Sequence, residues 1–398
     1  MRTPSQLSVP RKTPGTAFVH LDFVLTGIVM TLLGPMLPVL TANWALNDTQ
    51  AGYFFISQWV TSIAGMLLSG VLVQRRGYRT TLVIGLWLMA AGIAGLVQSH
   101  WTLGLLAVCV YGAGTGVTTP AANLLIAAAN PDKRAAALNL LNSSWGIGAM
   151  GCPFLVAAVH RTGHTSNFLY GLTVALVGLG LAMVFVHFHA DDNRSIAEVL
   201  PRSEATIWSH RLLPWIVVLF FLYVGTETSV GGWVASYAQR VDPTAHARWA
   251  ITPSFFWGAM LAGRLLAPIA LKHFSEIKLA AAGVALAAVG VALLLYAKTI
   301  TPVMVGASVA GFGLASVFPI NVSLLSHWFG KTATRLSGVV FSVGNLGGAA
   351  MPWLVGFLST QFGSLRAGFL VPLLGSVAML AFYLSQQAPS AMREAPPS

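Results

Sequence analysis

Residues 70 to 79 read Gly70-Val-Leu-Val-Gln-Arg-Arg-Gly-Tyr-Arg79, a short basic turn between two apolar runs, Gly52–Val73 and Thr80–Gln98. A helix needs roughly 20 apolar residues to cross the hydrocarbon of a bilayer. The runs are continuous rather than alternating, which excludes barrel strands. Reading outward from this turn gives twelve such runs. The others are Phe18–Thr41, Trp101–Ala129, Ala135–Val159, Ser166–His187, Leu212–Ala238, Trp249–Leu271, Leu279–Ala297, Pro302–Phe329, Leu336–Thr360 and Ala367–Leu384. They are numbered below as spans 1 to 12 in chain order.

Composition agrees with this reading. Of the 398 residues 56% are apolar and 8% charged, where a soluble domain carries about 25% charged residues. Too little charge remains for a wetted surface, so a cytosolic enzyme, a disordered chain and a nucleic-acid binder are excluded. The first run is too long for a signal segment and lacks a small-residue cleavage site. Cys109 and Cys152 lie inside apolar runs, which argues against a disulfide scaffold or a thiolate metal site.

The net charge of +11 sits in short loops, where Lys and Arg report topology. One face collects Arg2, Arg11, Lys12, Arg75, Arg76, Arg79, Lys133, Arg134, Arg194, Arg202, Arg211, Lys272, Lys278, Lys331, Arg335 and Arg393. The other holds Arg161, Arg240, Arg248, Lys298 and Arg366. Sixteen against five predicts both termini in the cytoplasm.

The expected organisation is a tail over 1–17, a six-helix bundle over 18–187, a charged linker over 188–210, a second bundle over 211–386 and a tail over 387–398. The bundles repeat each other. Gly112, Gly114 and Pro120 match Gly311, Gly313 and Pro319 at an offset of 199, and Gly148 and Pro153 match Gly347 and Pro352 at the same offset. Each half has six spans, so the repeat is parallel, and such repeats hold a site between the halves near the midplane.

Charge within lipid is costly and marks function by default. Only Asp22 and Glu227 among the acids, and Arg264 among the bases, fall within spans. Glu227 suits proton exchange or acceptance of hydrogen bonds from hydroxyls, and a structural bond to a neighbouring helix is the alternative. Arg264, about two turns from Glu227 in depth, fits a substrate ligand, a switchable partner of Glu227 or a static ion pair. Asp22 fits a proton relay, a gate contact or snorkelling toward the interface. Thr115, Thr119 and Asn123 share one face of span 4, and Asn139, Asn142 and Ser143 line up on span 5. Gln58 and Ser62 form a shorter stripe, and Asn321 and Asn345 stand in the second half. Amides both donate and accept, which suits polyhydroxyl solutes, though they also glue helices together. Trp59, Trp145, Trp233 and Trp257 are candidates for stacking on a sugar face or for packing. Asn47-Asp48-Thr49-Gln50 reads as a helix cap with Gln three positions on.

The turn at residues 70–79 resembles the loop signature of the major facilitator superfamily, G-xxx-D-R-x-G-x-R, with Gln74 in place of its Asp. Arg75, Gly77 and Arg79 occupy the matching positions of that gate loop. Thr119-Pro-Ala-Ala-Asn123, Leu138-Asn-Leu-Leu-Asn-Ser-Ser-Trp-Gly146 and Tyr223-Val-Gly-Thr-Glu227 through Gly232-Trp233 are similar to the fucose–galactose–glucose:proton symporter branch. The resemblance implies twelve helices in two parallel six-helix repeats, with Asn123, Asn139, Asn142 and Glu227 at cavity positions. Thr119 replaces the span 4 Glu linked there to proton coupling, and Gly34 falls where that branch has a span 1 acid. Coupling is then expected at Glu227 or Asp22, or is absent. Span 5 has Gly151-Cys-Pro153 without the glycine pair of drug antiporters.

The expectation is an all-α inner-membrane secondary transporter of a small polar solute, a monosaccharide, working by alternating access with a proton or sodium. The alternative is an exporter of drugs or organic anions held by Arg264. A non-transporting receptor leaves the intramembrane charge unexplained. No Walker, HExxH or GxSxG pattern supports ATP-driven or hydrolytic chemistry, so no cofactor is expected. A monomer in the lipid bilayer, with no nucleic-acid partner, completes the reading.

Overall fold

The computed structural model describes residues 14–97, 100–186, 188 and 212–387. The predicted linker apart from Phe188, and most of both predicted tails, lie outside the described residues, with Arg2, Arg11, Lys12, Arg194, Arg202, Arg211 and Arg393.

The N-terminal half comprises α1 (Pro14–Thr31), α2 (Leu33–Asn43), α3 (Asp48–Gly95), α4 (Trp101–Ala129), α5 (Arg134–Arg161) and α6 (Thr165–Val184). The C-terminal half comprises α7 (Leu213–Val241), α8 (Thr252–Ala270), α9 (Glu276–Tyr296), α10 (Ile300–Leu314), α11 (Val317–Phe329), α12 (Ala333–Phe362), α13 (Leu365–Gly368) and α14 (Leu370–Gln387). Among the described residues there is no strand. Nine helices among the described residues are long and apolar enough to cross a bilayer, or ten with the bent α1–α2 pair. α3 contains two of the predicted spans, and α8, which carries Arg264, is the less apolar remaining one, so the architecture is consistent with twelve.

The breaks have local causes. Within α3, Gly77 adopts φ 83 and ψ 171 and turns the chain from span 2 into span 3, a conformation open to glycine and strained for other residues. A proline at position i offers no N–H to the carbonyl at i−4 and crowds that turn. Pro35 stands in that relation to Thr31, where α1 meets α2 at 41°. Pro319 stands in the same relation to Ala315, where α10 gives way to α11. Pro120, the counterpart of Pro319, leaves α4 unbroken.

The predicted repeat is a repeat of contacts. A Cβ added to Gly148 of α5 would lie 2.0 Å from the Val24 carbonyl oxygen of α1. A Cβ on Gly347 of α12 would lie 2.0 Å from the Phe221 carbonyl oxygen of α7. Gly114 packs on Gly85 and Met89 of α3, and Gly313 packs on Gly283 and Ala287 of α9. The partners therefore recur at offsets of 197 and 198 where the glycines recur at 199. The halves meet along α3 against α12, α5 against α8 and α2 against α7.

Candidate functional site

Between the halves lies a cavity of about 60 Å³, room for a handful of waters. The N-terminal half lines it with Met30, Thr31, Leu33, Gly34, Phe55, Gln58, Trp59 and Trp145, and the C-terminal half with Glu227, Thr228, Gly231, Gly232 and Trp257. The wall closes tightly where α2 meets α7, because a Cβ on Gly34 would lie 2.6 Å from the Gly231 carbonyl oxygen. A smaller chamber of about 10 Å³ adjoins it, lined by Trp145, Gly146, Ala149, Trp257, Met260, Leu261 and Arg264. Trp145 and Trp257, one from each half, belong to both chambers and meet edge to face at 5.5 Å and 85°.

Glu227 faces the larger chamber and Arg264 the smaller. The two side chains meet, with Arg264 Nη2 3.6 Å from Glu227 Oε1. The same nitrogen donates to the Tyr223 hydroxyl at 3.5 Å. Both distances exceed the 2.7–2.9 Å of a tight charge-assisted bond, and Arg264 Nε has no partner among the described residues. The pair is thus formed but loose. Glu227 keeps 13% and Arg264 27% of its side-chain surface open, which leaves the carboxylate available to a hydroxyl donor in the cavity.

Of the other expected site residues, Gln58, Trp145 and Trp257 line the cavity. Gln58 is nearly buried, donates Nε2–H to the Met30 carbonyl at 2.9 Å and accepts from the Tyr111 hydroxyl at 3.3 Å. The stripes of spans 4 and 5 do not reach the wall. Thr119 and Asn123 donate to carbonyls of their own helix at Thr115 and Thr119. Asn142 donates to Leu138, and it and Asn139 are exposed. By helix geometry, Asn142 and Asn139 lie about one and two turns from Trp145 toward the end carrying Lys133. Asn345 reaches across the halves, its Nδ2 3.1 Å from Met66 Sδ. Two further expected residues lie elsewhere in this conformation. Asn321 is fully buried and accepts from the Tyr383 hydroxyl of α14, inside the C-terminal half. Trp233 is fully buried and donates Nε1–H to the Pro352 carbonyl at 2.8 Å. Neither lines the cavity.

Asp22 is also away from it. The residue is fully buried, and neither carboxyl oxygen has a hydrogen-bond partner among the described residues. Of the expected gate residues, Gly77 forms the turn, Arg75 is exposed, and Arg79 donates to the Val184 carbonyl at 3.3 Å, within its own half.

Sequence reasoning missed Thr228 and Thr31, whose neighbours in the chain gave no periodic signal. It also missed a junction at the end opposite Arg75. Arg240 of α7 donates from Nη1 and Nη2 to Asp48 at 2.7 and 2.5 Å, and the Ser359 hydroxyl of α12 donates to Asp48 at 2.5 Å. Asn47 and Gln50 form the expected capping box beside it. At the same end His160 of α5 stacks edge to face on Trp249 at 5.1 Å.

Comparison with known proteins fits this architecture. The model of the Major Facilitator Superfamily matches residues 23–301 and 247–397. A glucose/galactose transporter of Brucella abortus is 27% identical over 401 aligned positions, covering 94% of each chain. The human sodium-dependent glucose transporter 1 is 25% identical, covering 90% of this chain and 76% of its own. The crystal structure of the E. coli fucose:proton symporter superposes with a TM-score of 0.62 at 18% identity, covering 94% of this chain and 98% of the other. With its apolar spans, its parallel repeat and its cavity between the halves, the chain is an integral membrane transporter rather than an enzyme, and it belongs to the major facilitator superfamily.

Proposed function

We propose that the protein moves a neutral monosaccharide across the cell membrane by alternating access, with a proton or sodium ion coupled through Glu227. The observation that carries this reading is the inter-half cavity itself, where one carboxylate stands among indole rings and the Thr228 hydroxyl. Carboxylates accept from sugar hydroxyls and indoles cover the apolar sugar face. The relatives named for glucose and galactose support the substrate class. The wall is tight where α2 meets α7, so on this reading the halves, residues 18–187 and 211–386, part to admit the solute. Protonation of Glu227 or sodium beside it weakens its hold on Arg264 and lets the pair respond to the solute. Asp22 is the second coupling candidate. Both termini and the 188–210 linker face the cytoplasm on this reading, and the protein acts as a monomer.

The second reading, transport of an organic anion, is favoured by one observation: Arg264 Nε, beside the smaller chamber, has no partner among the described residues. Purified protein in liposomes separates the two. Labelled glucose, galactose and fucose are expected to accumulate when a proton or sodium gradient is imposed, and carboxylates are not. Gradient-driven accumulation of carboxylates with no sugar uptake would replace the first reading with the second.

A further inference from the structure

We propose that Asp48, Arg240 and Ser359 form a reversible latch that holds the two halves shut at one end of the transport path, with Gly356 as its seat. Asp48 opens α3 in the N-terminal half, whereas Arg240 ends α7 and Ser359 lies near the end of α12 in the other. The carboxylate takes three donors from these two helices, using both of its oxygens. The next residue adds a fourth bond, because the Thr49 N–H donates to the Thr360 hydroxyl at 3.0 Å. That N–H is one of the unsatisfied donors that every helix start exposes, and here the opposite half satisfies it. The Asp48 carbonyl rests on Gly356, where a Cβ would lie 2.2 Å from the oxygen.

Asp48 is not occupied in capping its own helix. Asn47 and Gln50 already close the box reciprocally. Its carboxylate is therefore committed to the other half. The pair is also built to break. Asp48 keeps only 9% of its side-chain surface open, but Arg240 keeps 45%, so water replaces the lost partner as the halves separate. A fully buried pair lacks that route and resists opening. Among the described residues the remaining ion pair, Arg264–Glu227, lies within the C-terminal half. The junction at Asp48 is thus the charged tie between halves, and it sits at the end away from exposed Arg75, Lys133, Arg134, Asn139 and Asn142.

The inference rests on the alternating-access reading and not on the sugar one, and its test needs no substrate, so the two fail separately. Spin labels at Arg161→Cys and Lys298→Cys, both exposed and at the latch end of opposite halves, report the separation in liposomes. Cys109 is replaced by Ser, and Cys152 is buried. The parent is expected to give a short distance. Asp48→Asn, Arg240→Gln and the wedge Gly356→Ala are each expected to raise the population of a longer distance about three- to tenfold, the scale of losing partly exposed charged hydrogen bonds. Exchanging the charges, Asp48→Arg with Arg240→Asp, is expected to return the short distance. Ser359→Ala gives the same direction with a smaller change, should the stronger variants misfold. An unchanged distance distribution in folded Asp48→Asn, Gly356→Ala and Ser359→Ala would overturn the latch.

Discussion

The two halves share a scaffold and differ in chemistry. Val24 on Gly148 corresponds to Phe221 on Gly347, and this offset of 197 carries Glu227 onto Met30 and Tyr223 onto Thr26. Met30 lines the same cavity as Glu227 from the other side. Arg264 falls on Gly65 or Met66, depending on whether 199 or 198 is used. Conversely, buried Asp22 falls opposite Leu219 or Phe220, both buried and apolar. Glycine contacts set where the cavity lies, and they are symmetric. Among the described residues the charged groups beside it, Glu227 and Arg264, both come from the C-terminal half. On the alternating-access reading proposed above, a carboxylate and a guanidinium travel together past an uncharged wall.

The strongest way to break that comparison is to move the charge. Glu227→Gln is expected to reduce accumulation against a gradient at least tenfold, about 1.4 kcal/mol, while counterflow exchange in liposomes persists. Met30→Glu combined with Glu227→Gln is expected not to restore it, because Gly65 and Met66 offer no partner cation. Restored accumulation would mean that either half can carry the charge. The symmetric part is tested by Gly148→Ala and Gly347→Ala. Each Cβ meets a carbonyl oxygen at 2.0 Å, so each variant is expected to lose about 1–3 kcal/mol through overpacking, read as matching drops in thermal midpoint. Unequal drops would show that the two contacts are not equivalent.

Smaller effects sharpen the picture. Arg264→Lys keeps the charge but loses the planar fork, and is expected to lower turnover several-fold while the affinity for sugar, measured by thermal-shift titration, stays within about twofold. Loss of carboxylate binding in that titration would instead mark Arg264 as an anion ligand. Asp22→Leu removes an unpartnered buried carboxyl, and is expected to raise stability by about 1 kcal/mol while gradient-driven accumulation falls. A destabilised variant would reveal that the carboxyl is held. Arg75→Ala is expected to change initial uptake rates least, by about twofold, since the residue is exposed and a surface charge contributes little.

The fold was legible because lipid imposes simple arithmetic: apolar runs of fixed length, basic loops and glycines at one offset. Part of the site was legible for the same reason, since a charge within a span needs a purpose, which singled out Glu227 and Arg264. Their meeting was legible only as one alternative among several. Counting depth along straight helices put them two turns apart, but two long side chains close much of that distance. The amide stripes misled for a different reason. A spacing of four establishes that Thr119 and Asn123 share a face, without saying which neighbour that face meets, and both bond back to their own helix. Asn321 likewise turns to Tyr383 inside its bundle. The latch left no trace in the sequence. Asp48 and Arg240 lie 192 residues apart, and the cap pattern at Asn47–Gln50 already accounted for the stretch.

The start of α3 also bears on how such a chain is made. The capping box of Asn47 and Gln50 is local, so it closes as soon as that segment leaves the ribosome. The Thr49 donor finds Thr360 only after a further 311 residues have been synthesised. In the interval that donor sits at a membrane surface, where water serves it. The first half therefore meets the partners of this junction only once its twin has been made. Two separately encoded halves, produced in one cell, are accordingly expected to co-purify, and their failure to do so would show that the junction needs a continuous chain.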